Sequence, residues 1–367
     1  MALQFFDGFD HHNIWDGVYG RKWDIGSFAT QSSPRFPGQG FAVAINTPGI
    51  KKTIASPVAT MITGFALMVT NYSTQSYQPV YPIFQVLDAT RTSQLDVYMG
   101  TSGELIFKQG NAVVGTSQSY YLTYPYLAHL VLGAWYYVEI KLSYTQLECH
   151  ISGAVGSGPT QLIMSWPYSG TYQLIGLQGI TLKGRADFNS LPIYVDDLYI
   201  IDTTSSINND FLGDCRVQTR YPDASGNYRQ FTPSQPPGPG VTTSANQANM
   251  VNQPVVSSGD LSDGPTSKYN FDGNVGDTDS YSIGNFTVAG EIFGVQSTLF
   301  FRKDDVGARK IQHTARVANV DFQGSQSYDG TSQYTFVTNT WEVNPDTGLP
   351  WDLTALNQAE FGAKISA

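Results

Sequence analysis

The stretch Gly133–Gly153, which reads GAWYYVEIKLSYTQLECHISG, decides the fold class of this chain. From Trp135 onward the residue types change with a period of two, the spacing at which side chains of a β-strand share a face. One face would carry Trp135, Tyr137, Glu139 and Lys141, and the other Tyr136, Val138, Ile140 and Leu142. A second strand-like run, Leu147–Ile151, contains Cys149, which we interpret as a buried free thiol. The stretch therefore predicts two neighbouring strands.

Short strands of this kind fill the first two hundred residues. Hydrophobic residues make up 41% of the 367 residues and aromatic residues 13%, whereas charged residues are only 14%, and this composition favours sheets over helices. Gln109–Asn111 separates two strand-like runs and predicts a hairpin turn. Because no long segment has the helical period of 3.6, we predict an all-β fold that begins with a sandwich or jelly roll.

The length of the chain suits two domains. We predict a jelly roll over residues 1–205, a connecting hairpin over 206–233, an extended Pro/Gly/Ser-rich arm over 234–268 and a C-terminal β-rich attachment domain over 269–367. The composition of the arm cannot bury enough apolar surface to order itself, so we expect a neighbour to hold it, either this chain or another subunit. A short helix is predicted over Thr354–Gln358, capped by Asp352.

Charge and hydropathy limit the partners and the location. The formal net charge is −10, and no basic cluster exceeds the Lys51–Lys52 pair, so we expect no nucleic-acid partner. The N-terminus lacks the basic and apolar regions of a signal peptide, and no apolar run is long enough to span a bilayer. We therefore expect synthesis in a cytoplasm without a signal peptide, and no membrane insertion.

Catalytic carboxylates are not evident in the sequence. A glycoside hydrolase needs two carboxylates at one bond, and sandwich-type glucanases place them as Glu-x-Asp-x-x-Glu, which none of the six glutamates matches. Asp196 and Asp197 are adjacent on a predicted strand, so they should point to opposite faces, one accepting hydrogen bonds at the sheet edge and one facing water. We therefore predict that the chain is not an enzyme and has no catalytic residues.

Two segments could bind metal. The loop DGNVGDTDS offers Asp272, Asn274, Asp277 and Asp279, which could hold calcium, although the spacing departs from an EF-hand and a solvated turn is the simpler interpretation. His11 and His12 are adjacent and would point apart on an extended chain, so we interpret them as a surface pair. We predict no cofactor, with calcium at this loop as the alternative.

Aromatic runs offer candidate sugar-binding residues. Tyrosine and tryptophan rings stack on sugars, anchor protein interfaces or pack in sandwich cores, and the sequence leaves these alternatives open. The candidates for glycan binding come from SYYLTYPY and WPYSGTY and are Tyr121, Tyr124, Tyr126, Trp166 and Tyr168.

The order of the predicted strands resembles the concanavalin A-like, laminin G-type jelly roll. The resemblance rests on the Trp135 strand, the strand ending at Gly153 and the late segment VDDLYIID, and it covers roughly the first half of the chain. It implies that the strand with Asp196–Asp197 packs near the N-terminal segment QFFDGFDHH. In that segment we expect Phe5, Phe6 and Phe9 to be core contacts and Asp7–Gly8 to form a kink or bulge.

Further motifs resemble structural proteins of tailed bacteriophages. They are DGFDHH (7–12), FLGDCRVQTRYPDASGNYRQFTPS (211–234), FFRKDDVGARKIQHTARV (300–317) and WEVNPDTGLPWDLTALNQAEFGAKI (341–365). The resemblance implies a virion component, a head decoration or tail appendage, that displays a lectin-like domain. Its partners would be major capsid or tail proteins and copies of itself. The alternative is a receptor-binding lectin for host surface glycan, or a polysaccharide depolymerase of the phage tail.

Overall fold

The structure, a computed structural model, describes residues 2–9, 22–31, 35–36, 42–70, 72, 82–120, 125–153, 161–169, 176–183, 193–235, 247–252, 268–287 and 290–367. Within these residues nearly all regular structure is antiparallel β, which confirms the predicted all-β class. The chain forms two compact units, unit 1 over Met1–Gln218 and unit 2 over Thr219–Ala367.

Unit 1 is built on one large antiparallel sheet. Its elements are β1 (Leu3–Asp7), β2 (Ile25–Gln31), β3 (Ala42–Val58), β4 (Met61–Val69), β5 (Phe84–Asp88), β6 (Ser93–Met99), β7 (Leu105–Gln109), β8 (Ala112–Thr116), α1 (Pro125–Ala128), β9 (Trp135–Leu142), β10 (Gln146–Gly153), β11 (Gln161–Pro167), β12 (Leu177–Leu182) and β13 (Ile193–Asp202). The strand order is β11-β10-β9-β4-β13-β3-β12-β5-β6-β7-β8, with β1 on β13 and β2 on β3. The predicted hairpin at Gln109–Asn111 is β7–β8, and Gly110 at its turn has φ +59°.

The sheet packs against itself as a sandwich. Phe65 on β4 stacks on Phe84 on β5, with ring centroids 5.2 Å apart, although three strands separate β4 from β5 in the sheet. Phe107 on β7 and Trp166 on β11 meet at 5.1 Å from opposite ends of the strand order. The two layers therefore enclose one core, in which Cys149 is fully buried as predicted.

The N-terminal segment is a core strand with a buried ion pair at its end. Phe5 and Phe9 pack on the indole of Trp23, at centroid distances of 5.3 and 5.8 Å. Asp7 accepts hydrogen bonds from the indole nitrogen of Trp23 and the backbone of Phe9, both at 2.9 Å, and lies 3.2 Å from the ammonium of Lys22. β1 pairs with β13, as the jelly-roll resemblance implies, while His11 and His12 fall outside the described residues.

Asp196 and Asp197 differ from their predicted arrangement, because both carboxylates are buried and neither faces water. The pairing of β13 with β4 shifts between Asp196 and Tyr199, and Asp197 has φ +50°, so the simple alternation of faces is interrupted here. Arg35 contacts both residues: its backbone N–H lies 3.4 Å from Asp196 and its guanidinium 3.3 Å from Asp197.

Unit 2 has a five-stranded sheet and two small ribbons. Its elements are β14 (Ala224–Arg229), β15 (Thr232–Pro233), β16 (Asn270–Phe271), β17 (Thr278–Ser282), β18 (Val295–Phe301), β19 (Lys310–Val317), β20 (Val320–Asp329), β21 (Thr335–Trp341), α2 (Leu353–Gln358) and β22 (Glu360–Ile365). The sheet order is β14-β17-β22-β19-β20, and β15–β16 and β18–β21 form the ribbons. Asp352 caps α2 by accepting a hydrogen bond from the backbone of Ala355, which confirms the predicted helix.

The predicted connecting hairpin, 206–233, is divided between the two units. Residues up to 218 belong to unit 1, where the backbone of Gly213 donates to Glu139 at 2.8 Å and Phe211 stacks on His150. Residues from 219 onward supply β14 and β15 of unit 2 instead. The segment is therefore no separate element.

The predicted arm, 234–268, is anchored in unit 2 at both ends and near its middle. β15 pairs with β16, and the backbone of Ser234 donates to Tyr269 at 2.8 Å, which brings the two ends together. In the middle, the side chain of Gln247 donates to the carbonyl of Phe231 at 2.5 Å, and Met250 is buried. This part of the arm is therefore held by its own chain; residues 236–246 and 253–267 lie outside the described residues.

Candidate functional site

The five-stranded sheet of unit 2 has one apolar and one polar face. Partners across antiparallel strands point to the same side of a sheet, and successive residues along a strand alternate. Ala315 and its partners Phe361 and Phe322 therefore share a face, which packs on the core that contains Trp351. Arg316 and its partners Glu360 and Asp321 share the opposite, polar face.

A groove of about 230 Å³ lies on the polar face. The middle of this face is a row of small residues, because Gly362 on β22 is flanked by Ser280 on β17 and Thr314 on β19. Larger side chains stand on either side of the row and form the walls. The polar side chains that line the groove are Tyr228, Gln230, Thr278, Ser280, Thr314, Arg316, Asp321, Gln323 and Lys364.

One end of the groove carries a hydrogen-bonded charge cluster. The guanidinium of Arg316 donates to Asp321 at 2.6 Å, and the hydroxyl of Tyr228 donates to the other carboxylate oxygen. The guanidinium also lies 5.7 Å from the ring centroid of Tyr228. Burial acts to raise the pKa of Asp321, but the hydrogen bonds from Tyr228 and Arg316 outweigh it and hold that pKa below its ordinary value. Asp321 is therefore a carboxylate at neutral pH.

A second carboxylate stands on the other side of Arg316. Glu360 accepts hydrogen bonds from the hydroxyl of Ser280 at 2.6 Å and from the backbone of Asn227 at 2.7 Å. These two donors fix the direction of its side chain. Asp321 and Glu360 lie on strands that are two apart, so their backbones are about 10 Å apart at the usual strand spacing.

The rest of the groove holds polar groups that remain available for a ligand. Within the described part of the chain, no side-chain hydrogen bond or ion pair is formed by Lys364, Gln323 or Thr314. Gln230, in contrast, is engaged, since it accepts from the backbone of Thr278 at 2.9 Å. The groove thus combines a phenol, an amide, a hydroxyl and charges of both signs in a space the size of a sugar ring. Such a surface suits a ligand rich in hydroxyl groups.

The candidate glycan-binding residues lie elsewhere. Tyr121 and Tyr124 fall outside the described residues, as does the side chain of Tyr126 in α1. Tyr168 is buried and its hydroxyl donates to the carbonyl of Gln94. Trp166 packs on Phe107 and over Gly115, where an added Cβ would come within 2.3 Å of the indole. Core packing therefore engages the ring of Tyr168, and contact with Phe107 engages one side of Trp166; glycan binding at these two residues stays a prediction.

The side chains of the candidate calcium loop form hydrogen bonds within the loop and with a neighbouring tyrosine. The carboxylate of Asp272 accepts from the backbone of Asn274 at 2.8 Å, and the amide of Asn274 donates to Asp277 at 3.1 Å, so the loop satisfies its own polar groups. Asp279 is buried and instead binds the hydroxyl of Tyr281 at 2.7 Å. Among the residues with described positions, no three His, Cys, Asp or Glu are grouped to hold a metal ion. Calcium binding at this loop stays a prediction.

In the part of the chain that the structure describes, no helix is both long and apolar enough to cross a bilayer.

Sequence reasoning did not find the groove residues. Alternating polar residues in QHTAR (312–316) and EFGAK (360–364) indicate one polar face on each strand. The pairing of β19 with β22, which puts Arg316 opposite Glu360, joins segments more than 40 residues apart in the chain. A single sequence carries no signal for that pairing.

Comparisons with known proteins assign no family. No protein-family description and no curated protein matches the sequence. Similar solved structures include domain 4 of AbnA, a GH43 extracellular arabinanase from Geobacillus stearothermophilus, in complex with arabinotriose, with 10% identity, coverage of 55% of this chain and 92% of that chain, and a TM-score of 0.34. Lectin I-B4 from Griffonia simplicifolia is 12% identical, with coverage of 51% of this chain and 95% of that chain and a TM-score of 0.32. Trypanosoma rangeli sialidase in complex with the inhibitor DANA is 11% identical, with coverage of 48% of this chain and 29% of that chain and a TM-score of 0.29.

The prediction that the chain is not an enzyme is contradicted, because glycoside hydrolases are among the structures to which it is similar. The missing Glu-x-Asp-x-x-Glu pattern does not exclude hydrolysis, since two carboxylates need only converge in space. Asp321 and Glu360, which flank Arg316 from different strands, show how residues distant in sequence are brought to one surface.

Proposed function

We propose that this chain is a carbohydrate-binding structural protein of a tailed-phage virion, and that the groove on unit 2 is its sugar site. The observation that carries the proposal is the groove, which places the unengaged Lys364, Gln323 and Thr314 beside the Tyr228–Asp321 cluster. Paired donors and acceptors around a shallow, ring-sized space are the means by which proteins bind sugars in competition with water.

The virion assignment is supported by the motifs that resemble phage structural proteins. The partners would be capsid or tail proteins and further copies of the chain, with host surface glycan as ligand. Mass spectrometry of purified phage particles should find the chain at a fixed ratio to the major capsid protein. If the chain is present in the lysate but absent from the purified particles, the virion assignment is wrong.

Sugar binding is tested by filling the groove. Thr314→Trp would place an indole over the row of small residues, whereas Thr298→Trp, on an exposed position of β18, is the matched control. We expect the full-length protein to bind bacterial surface oligosaccharides on a glycan array and in titration calorimetry. Thr314→Trp should weaken binding at least tenfold and Thr298→Trp should leave it unchanged. Equal binding by both variants would remove the groove as the site.

Hydrolysis of the bound glycan is the second candidate function, and the two carboxylates on either side of Arg316 favour it. Inverting glycosidases hold their carboxyl groups roughly 6.5–9.5 Å apart, which side chains from backbones about 10 Å apart can reach. In such a mechanism one of the two carboxyl groups would activate the water and the other would donate the proton to the leaving oxygen. Release of reducing ends that Asp321→Asn abolishes would establish a depolymerase; binding without release would leave a lectin.

A further inference from the structure

The groove has opposite charge at its two ends. At one end Asp321, Arg316 and Glu360 form a row across three strands with one negative charge in excess. At the other end Lys364 supplies a single positive charge, on the same strand as Glu360 and roughly 13 Å from it along the backbone. A ligand that complements both ends is anionic on one side and carries hydroxyl groups on the other.

We infer that the sugar in this groove is an acidic one, whose carboxylate pairs with Lys364 while its hydroxyl groups face Asp321 and Gln323. This rests on the proposed sugar-binding function and adds the ligand class. The cross-strand neighbours of Lys364 are Thr278 and Gln312, and neither is charged. Gln312 donates its amide to the carbonyl of Gly324 at 2.8 Å, so it is engaged elsewhere.

The ammonium of Lys364 therefore has no anionic partner in its own row. Its positive charge acts through space on Asp321, where it contributes to lowering the pKa of that carboxyl. The side chain is half-buried, so a salt bridge formed there would be less screened by solvent than one on an open surface. A carboxylate bound at this end would supply the missing partner.

A sugar carboxylate fits this end better than a phosphate does. Arg binds phosphate bidentately through its planar fork, and several converging donors strengthen such a site, whereas a single Lys acts as a point charge. The guanidinium of Arg316 already binds Asp321, which leaves one ammonium for the anion. The chain also carries a net charge of −10, which opposes dense polyanions but allows one acid group beside the ammonium of Lys364.

The test compares two forms of one ligand. The probes are an oligosaccharide of alternating glucuronic acid and N-acetylglucosamine, and the same oligosaccharide with its carboxyl groups reduced to alcohols. Calorimetry on the full chain should give at least tenfold tighter binding of the acidic form, with a preference that shrinks as NaCl rises from 50 to 500 mM. This comparison uses the unmodified protein and does not depend on how any variant folds.

Variants then locate the carboxylate. Lys364→Gln should remove the preference while still binding the reduced form, and Lys364→Arg should retain it. Lys310→Gln is the matched control, since Lys310 lies on β19 and pairs with Asp329 at 3.6 Å. Its preference should equal that of the unmodified chain.

The outcomes separate the two proposals. Equal binding of the acidic and reduced forms by the unmodified chain would overturn the acidic-sugar inference and leave sugar binding in place. A preference that survives in Lys364→Gln would overturn the role of Lys364. Failure of both forms and of every array glycan to bind would overturn the proposed function itself.

Discussion

Asp7 shows how much can depend on one buried carboxylate. It and Lys22 are both almost fully removed from water, and burial lowers the pKa of Lys22 despite the nearby carboxylate. Asp7→Asn would leave the ammonium without its counter-charge in the core of unit 1. We expect it to lower the free energy of unfolding by about 3–5 kcal/mol, measured by urea denaturation. The double variant Asp7→Asn/Lys22→Met should recover much of that loss; a double variant as unstable as Asp7→Asn would show that the ion pair is not the cause.

Asp279 is a buried carboxyl whose titration should weaken unit 2. Burial raises the pKa of Asp279 to about 6, although the backbone of Phe231 and the hydroxyl of Tyr281 donate to it. Since the unfolded carboxyl has the lower pKa, the folded state holds its proton longer, and stability falls as pH rises from about 4 to about 6. Asp279→Asn should remove a fall of about 3 kcal/mol. Hydrogen exchange of the β17 and β22 amides between about pH 4 and pH 6 measures this fall in stability. If Asp279→Asn leaves the pH dependence of stability unchanged, Asp279 is not its cause.

Titration of His313 should change the stability of unit 2 with pH in the opposite direction to that of Asp279. It is fully buried, its Nδ1 lies 2.8 Å from the hydroxyl of Ser297, and burial lowers its pKa to about 4. The unfolded imidazole takes up a proton near its ordinary pKa of about 6.5, so stability is lost as pH falls from about 6.5 to about 4. His313→Gln should therefore reduce the loss of stability on acidification, measured by urea denaturation between pH 4 and pH 7. A steeper loss than in the unmodified chain would refute this.

At the scale of elements, the helix α2 depends on its cap. The carboxylate of Asp352 accepts from the backbone of Ala355 at 2.8 Å, satisfying an amide that has no partner inside the helix. Asp352→Ala should cost about 1 kcal/mol of stability, while Asp352→Ser or Asp352→Asn should cost little. Thermal unfolding of the three variants checks this; equal losses in all three would point to a role other than capping.

Elements whose signals are local were predictable from the sequence. The helix with its cap, the turn at Gly110 and the alternating strand from Trp135 to Leu142 each follow from residues within a few positions of one another. The arrangement of Asp196 and Asp197 was not predictable from local residues. The register shift in β13 that accompanies burial of both carboxylates depends on the pairing of β13 with β4 and on the contact with Arg35. The groove was not predictable for the same reason, since its lining residues come from all five strands of the sheet. Local chemistry sets the elements, and long-range register sets the site.

At the scale of the whole molecule, the opposing titrations in unit 2 should offset each other. Between about pH 4 and pH 6 the Asp279 contribution weakens the fold as pH rises, and the His313 contribution weakens it as pH falls. The double variant Asp279→Asn/His313→Gln should therefore show nearly the same pH slope as the unmodified chain, while each single variant departs in its own direction. Urea denaturation at several pH values tests this, and a double variant that follows one single variant would show that the two groups do not compensate.

The position of β22 in its sheet has a consequence for biosynthesis. β22 lies between β17 and β19, and it contributes both Glu360 and Lys364 to the polar face. During translation, the sheet that begins at β14 cannot close until residue 365 has left the ribosome. A chain that ends before β22 would therefore expose unpaired strand edges, which favour aggregation or proteolysis, and it would lack the groove on the polar face. The groove is thus acquired only once β22 has been synthesised, so chains terminated before β22 cannot compete with intact ones for a ligand of this surface.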